Sequence, residues 1–361
     1  MNNYLINLGF KPFFVKQTEQ FPELCPGRIL TQEKNFYHVA TETGEVLAQL
    51  SGRLRYQVSD LTDYPAVGDF VLLDKMSENQ GTARIQRLLT RSSVLVRKAA
   101  GTSQELQVVA ANVDKVFICM SLNADFNLRR AERYLALVWD SGALPVIVLT
   151  KSDLAADIED KLSRLEQIAA GVDILQTSCI SEEGILTLRD QIEAGQTIAF
   201  IGSSGVGKSS LINFLLGEEA FKTNSLRNDD KGRHTTTHRE LRLLTSGGIV
   251  IDTPGMREIG LESASFSETF ADIAQLAEYC RFSDCRHQRE PGCAVQDAIL
   301  AGELSNAHFQ NYQKMLKEVG YEGLNSKQLE KFKLNEMYRA VGGLKNARKN
   351  MRSRIKDKYQ R

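Results

Sequence analysis

Residues 202–209, GSSGVGKS, have the spacing with the clearest chemical meaning in this chain. They match the pattern G-x-x-x-x-G-K-[ST], and an apolar segment, 197–201, precedes them. Glycine adopts backbone conformations that are closed to residues with a Cβ, so consecutive N–H groups can turn toward one phosphate group. A helix predicted to begin directly afterwards would direct the positive end of its dipole at the same anion. The spacing therefore predicts a loop that binds the phosphates of a nucleoside triphosphate.

The lysine and the serine that end this phosphate loop have separate predicted roles. Lys208 can reach the β- and γ-phosphates and assist catalysis, and the Ser209 hydroxyl can occupy one position on Mg²⁺. The alternative is a Gly/Ser turn that happens to precede a helix; the preceding strand and the Lys-Ser pair argue against it. The predicted phosphate-binding residues are Gly202, Ser203, Ser204, Gly205, Val206, Gly207, Lys208, Ser209 and Ser210.

A second motif, Thr150-Lys151-Ser152-Asp153, follows the apolar segment 145–150 and is similar to the [NT]-K-x-D base-recognition motif of GTPases. Guanine presents adjacent N1–H and N2–H₂ donors, and the Asp153 carboxylate can accept from both, whereas adenine would leave it unpaired. The aliphatic stem of Lys151 would cover the base. A K-x-D sequence on an ordinary surface is the alternative. The position of the Thr150–Asp153 motif at the end of a predicted strand favours guanine binding.

Two further segments add to this set. Thr177-Ser178-Cys179 ends the next predicted strand and resembles the loop that contacts guanine O6 through a backbone N–H. The sequence GGIVIDTPG places Asp252 and Gly255 at the end of an apolar strand. There Asp252 would hold the Mg²⁺ shell, and the Gly255 backbone would sense the γ-phosphate.

The segment GRHTTTH, 232–238, contains the remaining polar groups. One threonine of 235–237 would complete the Mg²⁺ shell when GTP is bound, and Thr236 is favoured. The position after the DTPG glycine, where Ras-like enzymes carry a water-orienting glutamine, holds Met256. Intrinsic hydrolysis should therefore be slow. His234 is the predicted catalytic residue that orients the attacking water; a packing or capping role is the alternative.

The order of these motifs differs from that of ordinary GTPases. The base-recognition motif precedes the phosphate loop, and DTPG comes last. The same sheet can be assembled if the chain is circularly permuted. Permutation moves the segment after DTPG close to a chain end, so an additional module on each side would hold the ends.

Cysteine and histidine spacing near the C-terminus predicts a metal site. The four residues follow C-x₄-C-x-H-x₅-C, and three thiolates with one imidazole satisfy tetrahedral Zn²⁺. Four protein ligands leave no open position, so one structural Zn²⁺ per chain is expected. Three unrelated cysteines near a surface histidine are the alternative. The ligands would be Cys280, Cys285, His287 and Cys293.

Hydrophobic periodicity indicates what positions these residues. Segment 27–97 has five short alternating runs separated by turn residues, which favours an OB-type β-barrel; another β-barrel with solvated arginines is the alternative. From 113 onward, near-continuous apolar strands alternate with helices, which is typical of a parallel sheet covered on both faces. The barrel residues that could contact nucleic acid are Arg53, Arg55, Tyr56, Arg84, Arg87, Arg91 and Arg97.

The predicted organisation is therefore multidomain α/β. Residues 1–26 form a mostly irregular lead-in, and 27–97 form the barrel. Residues 98–265 form a permuted P-loop GTPase domain with a mostly parallel sheet, and 266–361 form a helical zinc-binding domain with a basic tail.

Composition excludes some classes of protein. The 361 residues are 42% hydrophobic and 25% charged, as in ordinary globular proteins. No run of eighteen apolar residues occurs, so no membrane span or membrane partner is expected, and the N-terminal residues do not read as a signal peptide. Three cysteines stand alone and three cluster near the C-terminus, a distribution that favours metal binding in a reducing cytoplasm over a disulfide scaffold. The net charge is zero, yet 345–361 carries eight Lys/Arg against one acid, a pattern that often binds phosphate backbones.

Taken together, the chain resembles the RsgA-type ribosome biogenesis GTPases, a circularly permuted family that assists assembly of the small ribosomal subunit. The resemblance covers the barrel, the motif order, GRHTTTH, DTPG and the C-x₄-C-x-H-x₅-C cluster. It implies an OB-fold N-terminal domain, a zinc-containing C-terminal domain and binding to the 30S particle. It also implies late maturation of that particle and GTP hydrolysis stimulated by it.

We therefore expect a monomeric, cytoplasmic GTPase that uses Mg²⁺ with GTP and contacts the small subunit and its rRNA. The alternative is a GTP-gated RNA-binding or ribosome-binding module that acts by occupancy, with incidental hydrolysis. A metal-dependent nucleic-acid enzyme is poorly supported, because the zinc site would be closed.

Overall fold

The computed structural model describes residues 3–74, 81–98, 106–123, 125–155, 157–217, 239–252, 270–282, 285–288 and 290–319. The chain divides into two compact units, 1–303 and 304–361. In the second unit, helix α10, Asn306–Val319, is the described element. All other elements below belong to the first unit. No helix among the described residues is both long and apolar enough to cross a membrane.

A five-stranded barrel forms the N-terminal part of the first unit. Its strands run in the order β1-β2-β3-β5-β4, and β4 pairs back onto β1, which closes the barrel. All neighbours are antiparallel except β3 and β5, which run parallel. The strand bounds are β1 Cys25–Glu33, β2 Phe36–Thr41, β3 Gly44–Leu50, β4 Phe70–Leu73 and β5 Ala83–Leu88. The predicted five-stranded N-terminal barrel is confirmed.

Small residues let the barrel strands approach closely around an apolar core. A Cβ on Gly27 would lie 2.5 Å from Cγ1 of Val39, so β1 can cross β2 here only with glycine. Between β3 and β4, helix α3, Gly52–Gln57, begins at Ser51, whose hydroxyl caps it by accepting from the Leu54 N–H. The buried core residues are Ile29, Tyr37, Val39, Ala48, Leu50, Val71, Leu73, Ala83 and Ile85.

The N-terminal segment is helical, and the prediction of a mostly irregular lead-in is wrong. Helix α1 spans Asn3–Asn7, and α2 spans Pro12–Thr18 with proline in its first turn, where the missing N–H costs no hydrogen bond. Phe10 and Phe14 are buried against Phe70 of the barrel, with ring centroids 5.2 and 4.3 Å from it. This burial, which no local periodicity signals, stabilises the two short helices.

A second set of strands forms the sheet that carries the predicted nucleotide motifs. Their spatial order is β10-β9-β8-β11-β13-β12; the first five are mutually parallel, and β12 is antiparallel to β13. The phosphate-loop strand β11 therefore lies at the centre, although β8, β9 and β10 precede it in sequence. The bounds are β8 Lys115–Ser121, β9 Leu144–Thr150, β10 Asp173–Gln176, β11 Thr197–Gly202, β12 Glu240–Leu243 and β13 Ile249–Asp252.

Helices connect these strands where the sequence predicts them. Leu128–Ser141 is helical as predicted, begins at the Asn127 cap and ends at the left-handed Gly142. The remaining helices of the first unit are shorter than fourteen residues. In chain order these helices are α4 Leu128–Ser141, α5 Ile158–Glu166, α6 Ile185–Asp190 and α7 Lys208–Leu216. Two further helices, α8 Ala271–Glu278 and α9 Ala294–Ala301, follow β13.

The barrel and the nucleotide sheet are continuous. Strand β1 pairs with β12 at Thr31 and Glu240, which joins the two into one eleven-stranded sheet. A separate hairpin, β6 Val94–Lys98 and β7 Leu106–Ala111, connects the barrel to β8. Neither feature is predicted from the sequence.

One buried arginine, Arg28, forms hydrogen bonds that join the N-terminal segment, the barrel and the nucleotide sheet. The Arg28 guanidinium, on β1, donates to the carbonyls of Leu8, Gly68 and Asn112 at 2.5, 3.1 and 3.4 Å, and to the Thr197 hydroxyl at 2.9 Å. Burial lowers the pKa of Arg28 to about 10, so it remains charged at neutral pH. The N-terminal segment, the barrel and the first residue of β11 thus share one set of hydrogen bonds.

Candidate nucleotide site

The predicted nucleotide motifs meet at one edge of the sheet. Parallel strands β8, β9, β11 and β13 end at Ser121, Thr150, Gly202 and Asp252, and the carboxyl ends of parallel strands share one edge. In open α/β sheets, ligands bind in the crevice outside these ends. The fold therefore brings together motifs that are separated by up to about a hundred residues in sequence.

The backbone of the phosphate loop depends on glycine at three positions. Gly202, Gly205 and Gly207 have φ values of 139°, 72° and 105°, which residues with a Cβ rarely adopt. A Cβ on Gly202 would also lie 2.3 Å from the Cys119 carbonyl oxygen on β8. The loop consequently requires glycine both for its conformation and for its approach to the neighbouring strand.

Lys208, at the start of α7, is folded back over this loop. Its Nζ donates to the carbonyl oxygens of Gly202 at 2.7 Å and Ser203 at 2.6 Å. Ser209 lies exposed in the same first turn of α7. The ammonium group therefore lies against the first two residues of the loop, at the end of a flexible side chain.

The base-recognition motif is fastened directly to the phosphate loop. The buried Thr150 hydroxyl donates to the Val206 carbonyl at 2.6 Å, and Lys151 Nζ donates to the Gly205 carbonyl at 2.9 Å. Lys151 itself has a left-handed φ of 58°, which turns the chain sharply at the end of β9. The two hydrogen bonds fix the distance between the two motifs.

The carboxylate expected to bind guanine is held from the next loop. The Ser178 hydroxyl donates to Asp153 Oδ1 at 2.5 Å and accepts from the N–H groups of Ile180 and Ser181 at 3.2 Å. Burial raises the pKa of the neighbouring Cys179 thiol, and the Asp153 charge raises it further. Cys179 is thus a neutral neighbour of the carboxylate.

Other members of the two base motifs lie deeper. Ser152 and Thr177 are buried, and the Ser152 N–H donates to the Thr177 carbonyl at 3.2 Å. The Thr177 N–H in turn donates to the Leu149 carbonyl at 2.7 Å. These contacts join the two loops below the edge of the sheet.

A residue that sequence reasoning missed also contacts the phosphate loop. Arg130, in the first turn of α4, donates from Nη1 to the Ser203 hydroxyl and to Asp125 Oδ1, both at 2.6 Å. The only signal in the sequence is a cluster of three arginines, 129, 130 and 133, at the start of a predicted helix. Nothing in that pattern distinguishes the arginine that faces the loop.

Several predicted residues lie outside the described part of the chain. Asp252 is the last described residue before Gly255 and Met256; it ends β13 and pairs in register with Glu240 of β12. The GRHTTTH segment with His234 and Thr236, and the DTPG positions Gly255 and Met256, belong to the ranges that the structure does not describe. Their roles stay predictions.

The predicted metal ligands converge. The candidate ligand atoms of Cys280, Cys285, His287 and Cys293 all lie within 4.8 Å of one another. Nδ1 of His287 is 3.5 Å from the Cys280 sulfur and 3.4 Å from the Cys293 sulfur, which are themselves 3.9 Å apart. Three thiols and one imidazole at these distances could hold a metal ion.

The surroundings of this Cys₃His cluster affect its ligands unequally. Burial alone would raise the pKa of Cys280, but N–H groups of Val295 and Ala294 at the start of α9 bring it below its usual value. Burial raises the pKa of Cys293 to about 11. Burial also lowers the pKa of His287, which favours the neutral imidazole that binds metals.

The barrel arginines divide into exposed and structural groups. Arg91 donates to both carboxylate oxygens of the fully buried Asp69 at 2.8 Å, and also to the carbonyls of Thr62 and Tyr64. Arg91 therefore fixes the barrel rather than facing solvent, and Arg97 is half-buried. The exposed members of the set are Arg53, Arg55, Tyr56, Arg84 and Arg87. The basic tail, 345–361, lies outside the described residues.

Comparison with known proteins identifies relatives over nearly the whole chain. The family model described as RsgA GTPase matches residues 88–262. A Lactiplantibacillus plantarum protein named small ribosomal subunit biogenesis GTPase RsgA 2 is 48% identical, with 93% of this chain and 92% of that protein covered. A Listeria innocua protein, small ribosomal subunit biogenesis GTPase RsgA 1, is 45% identical over 87% of this chain and 88% of its own.

Solved structures are similar as well. YjeQ from Thermotoga maritima has a TM-score of 0.61 and 28% identity, with 82% of this chain and 98% of that chain covered. YloQ, described as a circularly permuted GTPase, has a TM-score of 0.60 and 27% identity over 83% of this chain and 96% of its own. The permuted strand order described above therefore has counterparts among known proteins.

Proposed function

Because the chain belongs to the RsgA family of circularly permuted GTPases, we propose that it hydrolyses GTP to GDP and phosphate and assists late maturation of the small ribosomal subunit. The observation that carries this proposal is the fastening of the base motif to the phosphate loop by Thr150 and Lys151. Two loops held at a fixed separation suit one ligand that has a base at one end and phosphates at the other.

The base end would select guanine through Asp153. The Ser178 hydroxyl leaves the second carboxylate oxygen and the other lone pairs of Asp153 Oδ1 available for the N1–H and N2–H₂ donors of guanine. The stem of Lys151 would lie over the ring. Thr150 and Ser152 would act by holding the loop, and the Cys179 backbone would face O6. Thr177 would support these contacts from below.

The phosphate end would use the loop amides, Lys208 and Mg²⁺. The donor set fits this metal, because Ser209 supplies a hydroxyl on α7, which follows β11, and Asp252 supplies a carboxylate at the end of β13, which pairs with β11. Thr236 would complete the set in the GTP-bound state. Mg²⁺ would neutralise charge that develops on the phosphate oxygens. Lys208 would exchange its two loop carbonyls for phosphate oxygens.

The Cys₃His cluster would hold one Zn²⁺ per chain. Soft thiolates with one imidazole select this ion over hard cations, and four protein ligands leave no open position. The role would be structural, organising the connection between α8 and α9.

Water attack is assigned to His234, since Met256 cannot orient water. A neutral imidazole beside the threonines that approach the γ-phosphate could act as base or orienter. His234→Ala should abolish particle-stimulated turnover while GTP affinity is retained. Stimulated turnover near the wild-type rate would contradict this assignment and would place the catalytic group on the particle.

The partner would be the small subunit, with its rRNA contacted by the exposed barrel arginines and the basic tail. Phosphate contacts release counterions, so affinity for the particle should fall steeply with salt. Deleting residues 345–361 should make that salt dependence less steep; an unchanged slope would show that the tail makes no phosphate contacts. Because the proposed partner is the small ribosomal subunit, we expect the chain to act in the cytoplasm. We also expect it to be a monomer.

GTP turnover measured with and without purified small subunits tests the whole proposal. Turnover that is slow alone and strongly stimulated by the particle supports it. The second candidate, a GTP-gated module that acts by occupancy, predicts tight GTP-dependent binding without stimulation. A non-hydrolysable analogue would then support maturation as well as GTP does.

The domain assignment follows the same proposal. The barrel, 27–97, would contact RNA, and 98–265 would respond to the nucleotide. The lead-in, 1–26, would precede these two domains, and the zinc-binding domain, 266–361, would follow them. Continuity of β1 with β12 supports a barrel that responds to the state of the nucleotide sheet.

A further inference from the structure

The phosphate loop is held on its first half by a side chain from outside the two nucleotide motifs. Arg130 lies on α4, 73 residues before Ser203, and its Nη1 donates to the Ser203 hydroxyl at 2.6 Å. Thr150 and Lys151 hold only the second half of the loop, at Val206 and Gly205. The two halves therefore have separate supports.

Arg130 is itself fixed in place. Its backbone N–H donates to the side chain of Asn127, the cap residue of α4, at 3.1 Å. Its guanidinium forms an ion pair with Asp125 at 2.6 Å, in which about a third of each side chain is exposed. A planar guanidinium can bind two partners at once, which a lysine ammonium on a flexible stem does with less precision. The direction of the donor toward Ser203 is therefore set by α4 and Asp125.

The contact matters because the other support of this half must leave when the nucleotide binds. Lys208 Nζ donates to the Gly202 and Ser203 carbonyls, and in the proposed function it turns to the phosphates instead. Arg130 binds the Ser203 hydroxyl rather than a loop amide. It can consequently remain in place while the backbone N–H groups of the loop face the phosphates.

We propose that Arg130 is a positioning residue for the nucleotide, which keeps the first half of the phosphate loop in its binding conformation through Ser203. The inference rests on the proposed GTP binding. Removing this support would leave the loop amides less well ordered before binding, so binding would be weakened more than the chemical step.

The experiment measures the binding of fluorescent mant-GDP and mant-GTP to the wild-type chain and to three arginine variants of the full chain. Arg130→Ala should weaken binding about tenfold, as expected for a hydrogen bond with a charged donor. Arg129→Ala is the matched control: it removes the same charge from the adjacent, exposed position and should stay within about twofold of wild type. Arg130→Lys should rescue binding in part.

A double-mutant cycle identifies the route of the effect. If Arg130 acts through Ser203, Ser203→Ala should reproduce much of the loss, and the double variant should be no weaker than Arg130→Ala alone. KM should rise in parallel with the dissociation constant, and kcat at saturating GTP should change by less than about twofold. A general effect on α4 would instead lower the melting temperature and would be additive with Ser203→Ala.

Two results would overturn the inference: binding by Arg130→Ala equal to that by Arg129→Ala, or full additivity in the cycle. If Arg130→Ala fails to fold, Ser203→Ala decides, and a neutral Ser203→Ala overturns the proposal. A wild-type chain that binds neither nucleotide would overturn the proposed function, and this inference with it.

Discussion

The candidate nucleotide site and the Cys₃His cluster are built in opposite ways. The nucleotide site gathers residues from five strand ends spread over 121–252, and hydrogen bonds between loops hold them. The cluster takes all four groups from 280–293, and their ligand atoms lie within 4.8 Å of one another. A site assembled by the fold can exist before its ligand binds, whereas the proposed Zn²⁺ would be needed to complete the cluster of thiols.

The largest expected effect is a change that should disrupt the Cys₃His cluster and leave the nucleotide site intact. Cys285→Ala should lose the metal and unfold the segment between α8 and α9, because structural zinc contributes roughly 10–16 kcal/mol of apparent binding energy to folding. Elemental analysis should find one Zn²⁺ per wild-type chain and none in the variant. GTP affinity should change little, since the four cluster residues come from 280–293 and the phosphate loop, 202–209, is held by residues of α4 and β9 and by Lys151. The prediction would be contradicted if wild-type protein without bound metal had the same melting temperature as the metal-loaded protein.

The next effect concerns the base end of the nucleotide site. Asp153→Asn should weaken GTP by about a hundredfold, because two charge-assisted hydrogen bonds of about 1.5–3 kcal/mol each are lost or reversed. Xanthosine triphosphate should bind better than to wild type, since its carbonyl at C2 can accept from the new amide. Competition binding with both nucleotides measures the exchange. An unchanged preference would refute the role of Asp153, and Asp173→Asn, on the exposed start of β10, is a control.

A smaller effect tests the claim that the fold assembles the site. Thr150→Val keeps the buried shape but removes the donor to Val206, which costs about 1–3 kcal/mol for an unpaired buried carbonyl. GTP affinity should fall about tenfold, and Thr150→Ser should restore it. If Thr150→Val binds GTP normally in an equilibrium titration, the hydrogen bond between the two motifs is not what sets their separation.

The smallest effect comes from the exposed partner of that contact. Lys151→Met keeps an aliphatic stem and removes the ammonium group that donates to the Gly205 carbonyl, so GTP affinity should fall about threefold if only this hydrogen bond matters. A much larger loss would mean that the lysine charge, rather than its stem, serves the nucleotide. The same titration at low and high salt distinguishes the two, because only a charge contribution is screened.

Sequence reasoning succeeded where the chemistry is local. The five barrel strands follow alternating apolar runs, and helix α4 has the predicted bounds. The Cys₃His cluster converges because its spacing is short. Each of these features is determined by neighbours within about a dozen residues.

It failed where a contact joins distant segments. The N-terminal helices depend on burial of Phe14 against Phe70, which their own short sequence does not signal. Arg130 meets Ser203 only because β8 and β11 are adjacent in the sheet. Strands β1 and β12 share one register pair, Thr31 and Glu240, which is too short to leave a periodic pattern in the sequence.

Arg28 has a consequence for how the chain could be divided. A fragment cut at the predicted boundary, 27–97, would keep its bond to the Gly68 carbonyl but lose Leu8, Asn112 and Thr197. The isolated fragment would expose to water both Arg28 and the Phe70 ring that it covers, which are buried in the intact chain, and the exposed apolar ring would lower the stability of the barrel. The barrel therefore depends on the N-terminal segment and on β11 for part of its buried surface, and we expect the fragment 27–97 to be less stable than the barrel within the full chain.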